Sequence, residues 1–489
     1  MNMTKSADSI VTNIIRYSAS HYYRQFLGIF TAIIRPKLLS PELYGLWNLL
    51  KLIQNYGTYT HLGARTSMRY QIPFHESRKE DKQIQLIAGT TFKGSLWLTI
   101  FFAALIAGIS FKPGLSVEAK TGLLSFSIVV LLLWYYGYVT SLLKSYQNFK
   151  LISASNYIYF TAIFICSVVF IYFWGIYGAY LSVIMPLIIV IFYLRLKYTQ
   201  PISNNFQKEI LFELIKKGFP IVLFNVAALL ISTSDRFIVA YFLGNEQLGY
   251  YGIAIMCMGF LMNTPGASRE VIEPKMMQSF GKNSAEDGIN KYFLKPLINS
   301  AYLMPFLIGI VFFMLPLVIP LILPKYIAGI LPSQIIVIGS YALALSYTVR
   351  GIVIAKGWQV QASGLMFIAL SINILLNIIF IKTGFGITGV AVASSTSFFI
   401  LLVLLLVFVS IKDTSISEKL KSVFLSLCYP FPLMLFIILL LEYCDKYIAQ
   451  NALIIALVKL LIFCLIYLIL FIVTRNKHTV IDLFTMRKS

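Results

Sequence analysis

A small set of charged side chains lies inside or at the edge of segments that otherwise look built for lipid. Arg16 and Arg24 sit in the first such segment, Arg65 and Arg69 at the end of the second, and Asp235, Arg236, Arg269, Glu270 and Glu273 in the second half of the chain. A charge near the centre of a bilayer costs roughly 2.5–3.5 kcal/mol on insertion scales, so each one requires a partner, a wet cavity or a route to the interface. Cations clearly outnumber carboxylates here. A planar guanidinium donates paired hydrogen bonds to an oxyanion, which lysine's point charge does less well. Arg16, Arg24, Arg65, Arg69 and Arg269 are therefore candidates for a cationic, anion-binding cavity. Asp235, Glu270 and Glu273 are the protonatable groups near them and, with Arg236, the candidates for gating or ion coupling. Plainer readings stand beside these: Arg16 can snorkel to the interface, Arg65 and Arg69 can be ordinary loop-side cations, and Asp235 can belong to a helix-locking salt bridge.

The elements that must carry these residues follow from composition. The 489 residues are 58% hydrophobic and only 12% charged, about half the charged share of soluble domains. Stretches such as 121–143, 303–323, 392–411 and 452–474 have the roughly 17–25 residues that span about 30 Å of hydrocarbon as helix. The sequence reads as an all-α polytopic membrane protein with about fourteen spans: 12–35, 42–64, 86–109, 120–143, 152–174, 176–194, 217–243, 247–270, 293–322, 330–353, 360–381, 387–411, 420–441 and 452–474. Span 42–64 is the weakest, since it holds Lys51, Gln54, Asn55 and His61. The N-terminus lacks the compact apolar core and small-residue cleavage site of a signal peptide, so the first span is expected to stay. Cys166, Cys257, Cys428, Cys444 and Cys464 show no CxxC spacing and read as small hydrophobes rather than metal or disulfide chemistry. His61 and His75 show no metal-ligand spacing either.

The net charge of +21 is scattered through short loops, not gathered into a nucleic-acid-binding stripe. Its asymmetry orients the chain. One side receives Arg78, Lys79, Lys82, Lys144, Lys150, Arg195, Lys197, Lys208 and many more, against Lys112, Lys120, Lys325, Lys382 and Lys446 on the other. By the positive-inside rule both termini lie in the cytoplasm.

The chain also repeats itself. "LLSPELYGLW" (38–47) aligns without gaps on "FLGNEQLGYY" (242–251), a register that carries Arg65 onto Arg269 and sets Asp235 opposite Thr31. "WGIYGAYLS" (174–182) matches "FGITGVAVA" (385–393), pairing Gly175 with Gly386 and Gly178 with Gly389. Those glycines suit tight turns and close helix approach. Six spans per half make a parallel repeat: a first lobe at 1–200, a second at 201–413, an additional helical pair at 414–475 and a tail at 476–489. Sites in such repeats lie between the halves.

At these motifs a resemblance appears. "INILLNIIFIKTGFGITGVAVASSTSF" (372–398), "LSPELYGLW" with "HLGARTSMR", and the segment from Lys217 through "SDRFIVAYFLGNEQLGYYG" resemble the Wzx-type polysaccharide flippases of the MOP superfamily, related to lipid II flippases and MATE drug exporters. The resemblance implies two six-helix lobes working by alternating access. It also implies transfer of undecaprenyl-diphosphate-linked oligosaccharide repeat units to the periplasmic leaflet of the bacterial inner membrane. Spans 13 and 14 are then candidates for a lipid-tail groove, and a polysaccharide polymerase and chain-length regulator are expected partners. Tyr17, Tyr22, Tyr23, Tyr56 and Tyr59 offer aromatic faces for sugar, or interfacial anchoring. On this reading Asp235 faces the cavity, pairing with Arg24, while Arg236 turns toward another helix or the interface.

No GxxxxGK[ST] loop is present, so an ion gradient, the membrane potential or substrate flux must supply the energy. No cofactor is expected, and the coupling ion, H+ or Na+, is left open. The competing function is a MATE-like antiporter of organic cations. The arginine surplus and the lack of a deep acid in the first span argue against it. A membrane glycosyltransferase or polymerase would need a large extramembrane loop, and a scaffold would leave the cationic pattern without a purpose.

Overall fold

The computed structural model describes residues 3–198, 204–281, 288–444 and 452–473, which are helical with short connections and contain no strand. They divide into two compact units, Met1–Val226 and Ala227–Ser489.

Unit 1 holds α1 (Met3–Leu38), α2 (Pro41–Gly57), α3 (Ala64–Ser77), α4 (Asp81–Ile109), α5 (Val117–Ser145), α6 (Phe149–Lys197) and most of α7 (Lys208–Ile231). Its helices start where the sequence provides caps. Ser40 precedes Pro41 and accepts the Leu43 amide, Ser116 accepts that of Ala119, and Asn148 accepts that of Leu151. Each such cap is worth about 1 kcal/mol. Trp47, Phe126 and Tyr138 fill the core. Two large polar rings of that core find partners: the Trp134 indole N–H donates to Ser95 at 2.8 Å and the Tyr138 hydroxyl to the Ala88 carbonyl at 3.0 Å.

Unit 2 continues with α8 (Ser234–Phe242), α9 (Gly244–Gly281), a π turn at Asn290–Leu294 leading into α10 (Lys295–Ile322), and a 3-10 turn at Pro324–Gly329. There follow α11 (Ile330–Ala355), α12 (Gln359–Lys382), α13 (Gly386–Lys412), α14 (Thr414–Cys428), α15 (Pro430–Cys444) and α16 (Ala452–Val473). The last of these docks on α10: the Phe463 ring sits where a Cβ on Gly309 would be, and the Tyr467 hydroxyl donates to the Tyr302 carbonyl at 2.8 Å. Lys459, buried in α16, pairs with Glu442 of α15 at 3.0 Å, and Lys356 pairs with Asp413 at 3.0 Å.

Among the described residues eight helices are long and apolar enough to cross a membrane, counting the π and 3-10 turns with the helices they lead into. The protein is a multi-pass membrane protein. One of the eight, α6, is two spans joined at Gly175, whose φ of 52° breaks the helix. Its repeat partner Gly386 has φ 53°. Gly178 and Gly389 are the close approaches, since a Cβ on either would strike Phe170 or Phe380. Of the described cysteines, Cys166 and Cys257 are buried, Cys464 is half-buried and Cys428 is exposed, and none is in a disulfide. Cys428 thus departs from the buried-hydrophobe reading; in a chain this apolar, an exposed thiol can face lipid at little cost.

Three expected spans are broken. The segment 42–64 becomes α2, a turn at 58–63, and α3; the segment 217–243 becomes α7, a break at Ser232 and Thr233, and α8. The segment 420–441 becomes α14, a bend at Tyr429, and α15. The first break is built on two successive left-handed residues, Leu62 at φ 46° and Gly63 at φ 101°. The buried His61 ring stabilises it by accepting the Gly63 amide on Nδ1 at 3.0 Å, which leaves the ring proton on Nε2. At the second, Thr233 leaves the helical region (φ −137°, ψ −9°). The Ser232 and Thr233 hydroxyls bond back to carbonyls at 228 and 229, the known way such side chains loosen a helix.

Candidate functional site

In unit 1 the candidate arginines take different environments. Arg16 and Arg69 are exposed. Arg24 is also exposed, midway along α1 and about 21 Å of helix rise from its end at Leu38. Its guanidinium lies over the Phe160 ring at 5.1 Å. That contact orients the planar group by its face and leaves the N–H edge for another ligand. Its neighbours on α1 are tied to α6 by neutral groups. Tyr23 and Thr161 share a hydrogen bond of 2.7 Å, and the Asn156 amide reaches Ser20 at 3.1 Å while accepting from Tyr136 at 3.3 Å. Tyr17 stacks edge-on with His21, and Tyr22 is exposed. Arg65 is committed locally: it donates to the Thr58 carbonyl at 2.9 Å, in the turn between α2 and α3, and its guanidinium occupies the place of a side chain at Gly137.

Two buried arginines, Arg35 and Arg350, escaped the sequence reading. Arg35, in the last turn of α1, lies over the Trp47 ring at 4.8 Å and donates to Ser167 at 3.4 Å. Its Nε has no hydrogen-bond partner among the described residues. Sequence placed it at a span end beside Pro36, where an interfacial cation is expected; nothing in its spacing pointed to Trp47.

In unit 2 the centre is Asp235, in the first turn of α8 and 2% exposed. Its Oδ1 accepts the Arg236 amide at 2.8 Å, and its Oδ2 accepts the Tyr251 hydroxyl at 2.7 Å and that of Ser394 at 3.4 Å. Ser394 receives the Asn373 amide at 3.5 Å, and Asn373 Oδ1 accepts from Ser234 at 2.8 Å and Asn377 at 2.9 Å. Asn377 Oδ1 is buried without a partner among the described residues. A carboxylate, two amides and three hydroxyls from α8, α9, α12 and α13 thus form one network. It is rich in oxygen and carries one formal negative charge, a chemistry that can hold a proton or a small monovalent cation.

The adjacent acid and base take different partners within unit 2, neither the Arg24 pairing expected of Asp235 nor the second helix or interface expected of Arg236. Asp235 satisfies its oxygens within its own unit, whereas the Arg236 guanidinium reaches back to the Ser232 carbonyl at 3.4 Å. Arg269 is half-buried on α9 and engaged in interactions of its own. The side chains of Glu270 and Glu273 lie outside the described residues. Asn373, Asn377 and Ser394 lie inside the quoted stretch 372–398 and Tyr251 inside 234–252, but nothing in their spacing singled them out as partners of Asp235.

Comparison with known proteins places this geometry. The sequence profile described as "Polysaccharide biosynthesis protein" matches residues 10–263, just over half of the chain. An uncharacterized membrane protein of Methanocaldococcus jannaschii is 22% identical over 325 residues, covering 62% of this chain and 63% of its own length. This chain thus spans less than two thirds of that relative. Among solved structures, a lipid II flippase in an inward closed conformation aligns over 94% of this chain and 98% of its own, with a TM-score of 0.68 at 15% identity. A multidrug resistance MATE family transporter of the MOP superfamily, inward-facing, covers 81% and 96% with a TM-score of 0.63 at 11% identity. A MOP superfamily transporter from Pyrococcus furiosus, described as having a binding pocket of reversed polarity, covers 83% and 96% with a TM-score of 0.60 at 12% identity. At these identities the likeness is one of fold. These solved neighbours are flippases and transporters, not enzymes.

Proposed function

This chain belongs to the polysaccharide biosynthesis protein family, and from that premise we propose that it flips undecaprenyl-diphosphate-linked oligosaccharide repeat units across the bacterial inner membrane. Both termini are then cytoplasmic, and a polymerase and chain-length regulator act downstream. The observation that carries the reading is Arg24. An exposed guanidinium midway along α1, the helix of the span expected at 12–35, oriented by Phe160 rather than neutralised by a carboxylate among the described residues, is poised for an oxyanion and repels organic cations. A diphosphate headgroup supplies that oxyanion. Arg16 and Arg69 of the same unit are further cations for that oxyanion, Arg269 is a candidate in the second unit, and the exposed Tyr22 offers a sugar-stacking face. The Asp235 network is the coupling element, with a proton or sodium ion as the species bound, and Glu270 and Glu273 are secondary candidates for the same work.

Deletion of the gene followed by lipid extraction tests the function. Undecaprenyl-linked repeat units accumulate on the cytoplasmic side if the reading holds, and an unchanged lipid pool refutes it. Arg24→Ala should lower surface polysaccharide about tenfold at normal protein abundance, and Arg24→Lys should recover only part of it, since one lost charge-assisted contact is worth roughly 1.5–3 kcal/mol. An organic-cation antiporter predicts the opposite sign: removing Arg24 would strengthen cation efflux.

A further inference from the structure

Two buried nitrogen donors of unit 1 have no acceptor among the described residues, and they lie at the same corner. Arg35 is 8% exposed, yet it has no carboxylate partner there. Its guanidinium lies over the Trp47 ring and donates to Ser167 at 3.4 Å, and its Nε is without an acceptor. Asn48, also 8% exposed, follows Trp47 on α2, and its amide nitrogen is likewise without one. It stands one turn beyond Tyr44, which is within electrostatic range of Arg35. A buried cation among neutral groups, with donors unsatisfied, is costly. What both groups would bind is one kind of ligand: an acceptor, and beside a guanidinium a negatively charged one.

This corner is in line with Arg24. Arg24, Gly28, Thr31 and Arg35 recur at i, i+4, i+7 and i+11, one face of α1, with about 16 Å of rise between the two arginines. The first part of α6 runs beside that face in the same direction: Ser20 meets Asn156, Arg24 lies over Phe160, and Arg35 reaches Ser167. Gly28 keeps the face bare between the arginines, since nothing stands within 4 Å of where its Cβ would be. Arg24 is exposed and Arg35 is covered. Pro36 gives the Ala32 carbonyl no amide, so the last turn of α1 is tied less firmly than the rest.

We propose that Arg35 and Asn48 form a second oxyanion site, which takes a phosphate oxygen of the carried headgroup farther along α1 than Arg24. Trp47 holds the face of the guanidinium, so the N–H edge is left for the oxyanion, and the Asn48 amide adds a donor. The loosened last turn of α1 is what parts to admit it. With both termini cytoplasmic, Arg35 lies toward the opposite surface. The exposed arginine then receives the diphosphate, and the covered one holds it before release. This inference rests on the transport reading.

Thermal melting of the full-length protein in nanodiscs tests it, with undecaprenyl diphosphate, with sodium pyrophosphate and with neither, alongside surface polysaccharide in cells. Undecaprenyl diphosphate should raise the melting temperature of the parent. The rise should be smaller in Arg24→Ala, Arg35→Gln and Asn48→Leu, and should vanish in the Arg24→Ala, Arg35→Gln double variant. Surface polysaccharide should fall about tenfold in Arg35→Gln and about threefold in Asn48→Leu at normal abundance. If the two donors serve packing alone, Asn48→Leu replaces an unsatisfied amide by an apolar group of similar size. It should then melt higher, with polysaccharide and the ligand-induced rise as in the parent, and that result overturns the site. Asn48→Leu carries the comparison by itself where Arg35→Gln does not fold. Pyrophosphate that protects Arg24→Ala as well as the lipid does, and loses that effect with Arg35→Gln, overturns the headgroup step in favour of a free anion. A response lost with Arg24 and untouched by Arg35→Gln or Asn48→Leu overturns only the second site. A parent that neither diphosphate protects refutes the flippase reading itself.

Discussion

The first two elements of the two sequence halves are the same repeat, bent in opposite places. In the first half the first helix, α1, is continuous and the second is broken into α2 and α3. In the second half the first is broken into α7 and α8 and the second, α9, is continuous. Each break meets a charge of the sign that the exposed backbone selects. After α2 the carbonyl of Thr58 lacks a helical partner and takes the Arg65 guanidinium. At the start of α8 the Arg236 amide has only a turn bond to the Thr233 carbonyl at 3.2 Å and donates also to the Asp235 carboxylate at 2.8 Å. Helix C-termini present carbonyls and favour cations, and helix N-termini present amides and favour anions. The opposite charges of Arg65 and Asp235 follow from that asymmetry once the breaks are placed.

Three substitutions set this comparison at risk. The largest effect belongs to Asp235→Asn, which keeps the shape and an acceptor oxygen but removes the charge. Transport, read as surface polysaccharide, should fall at least tenfold, about 1.4 kcal/mol or more, with abundance unchanged; retained transport would reduce Asp235 to a helix cap. Next comes Gly63→Ala. A β-carbon at φ 101° costs roughly 1–2 kcal/mol and also meets the backbone of Gly218, so the melting temperature in detergent should drop by several degrees. A variant as stable as the parent would show that the α2–α3 turn is not fixed by the glycine contact.

The smallest effect extends the same rule to a loop. Asp413 accepts the Ile416 amide at the start of α14 and pairs with Lys356. Burial alone would raise its carboxyl, but the Lys356 bond and the helix amides hold it below the ordinary carboxylate value. A lowered folded value means that its stabilisation is complete above the unfolded value of about 3.9 and is lost as pH falls through the folded one. Thermal stability of the parent should therefore lose this increment only in strongly acidic buffer. Asp413→Asn should lower stability slightly at neutral pH and flatten that acid limb, whereas parallel acid limbs in the two proteins would remove Asp413 from the account.

How far the site was legible differs between the units. Asp235 stood out as an acid in an apolar span, because burying a charge in lipid is costly enough to demand a reason, whereas Asn373, Asn377 and Ser394 entered only inside the stretch 372–398 that resembles the flippases. Arg65 illustrates the limit. Its alignment with Arg269 indicated a shared role, but the two lie in differently bent elements, and Arg65 is drawn to a carbonyl freed by a turn that the alignment does not reveal.

The sequence by itself determined that the chain is a multi-pass helical membrane protein with an internal repeat, and where the repeat's glycines turn. These depend on hydropathy, length and local φ, which are properties of short segments. Only the tertiary structure decided where the two matched helix pairs break. It also decided that Tyr251, Asn373 and Ser394 converge on Asp235. Those outcomes rest on backbone contacts such as Gly63 with Gly218 and on hydrogen bonds between residues over a hundred positions apart, and no local periodicity encodes them.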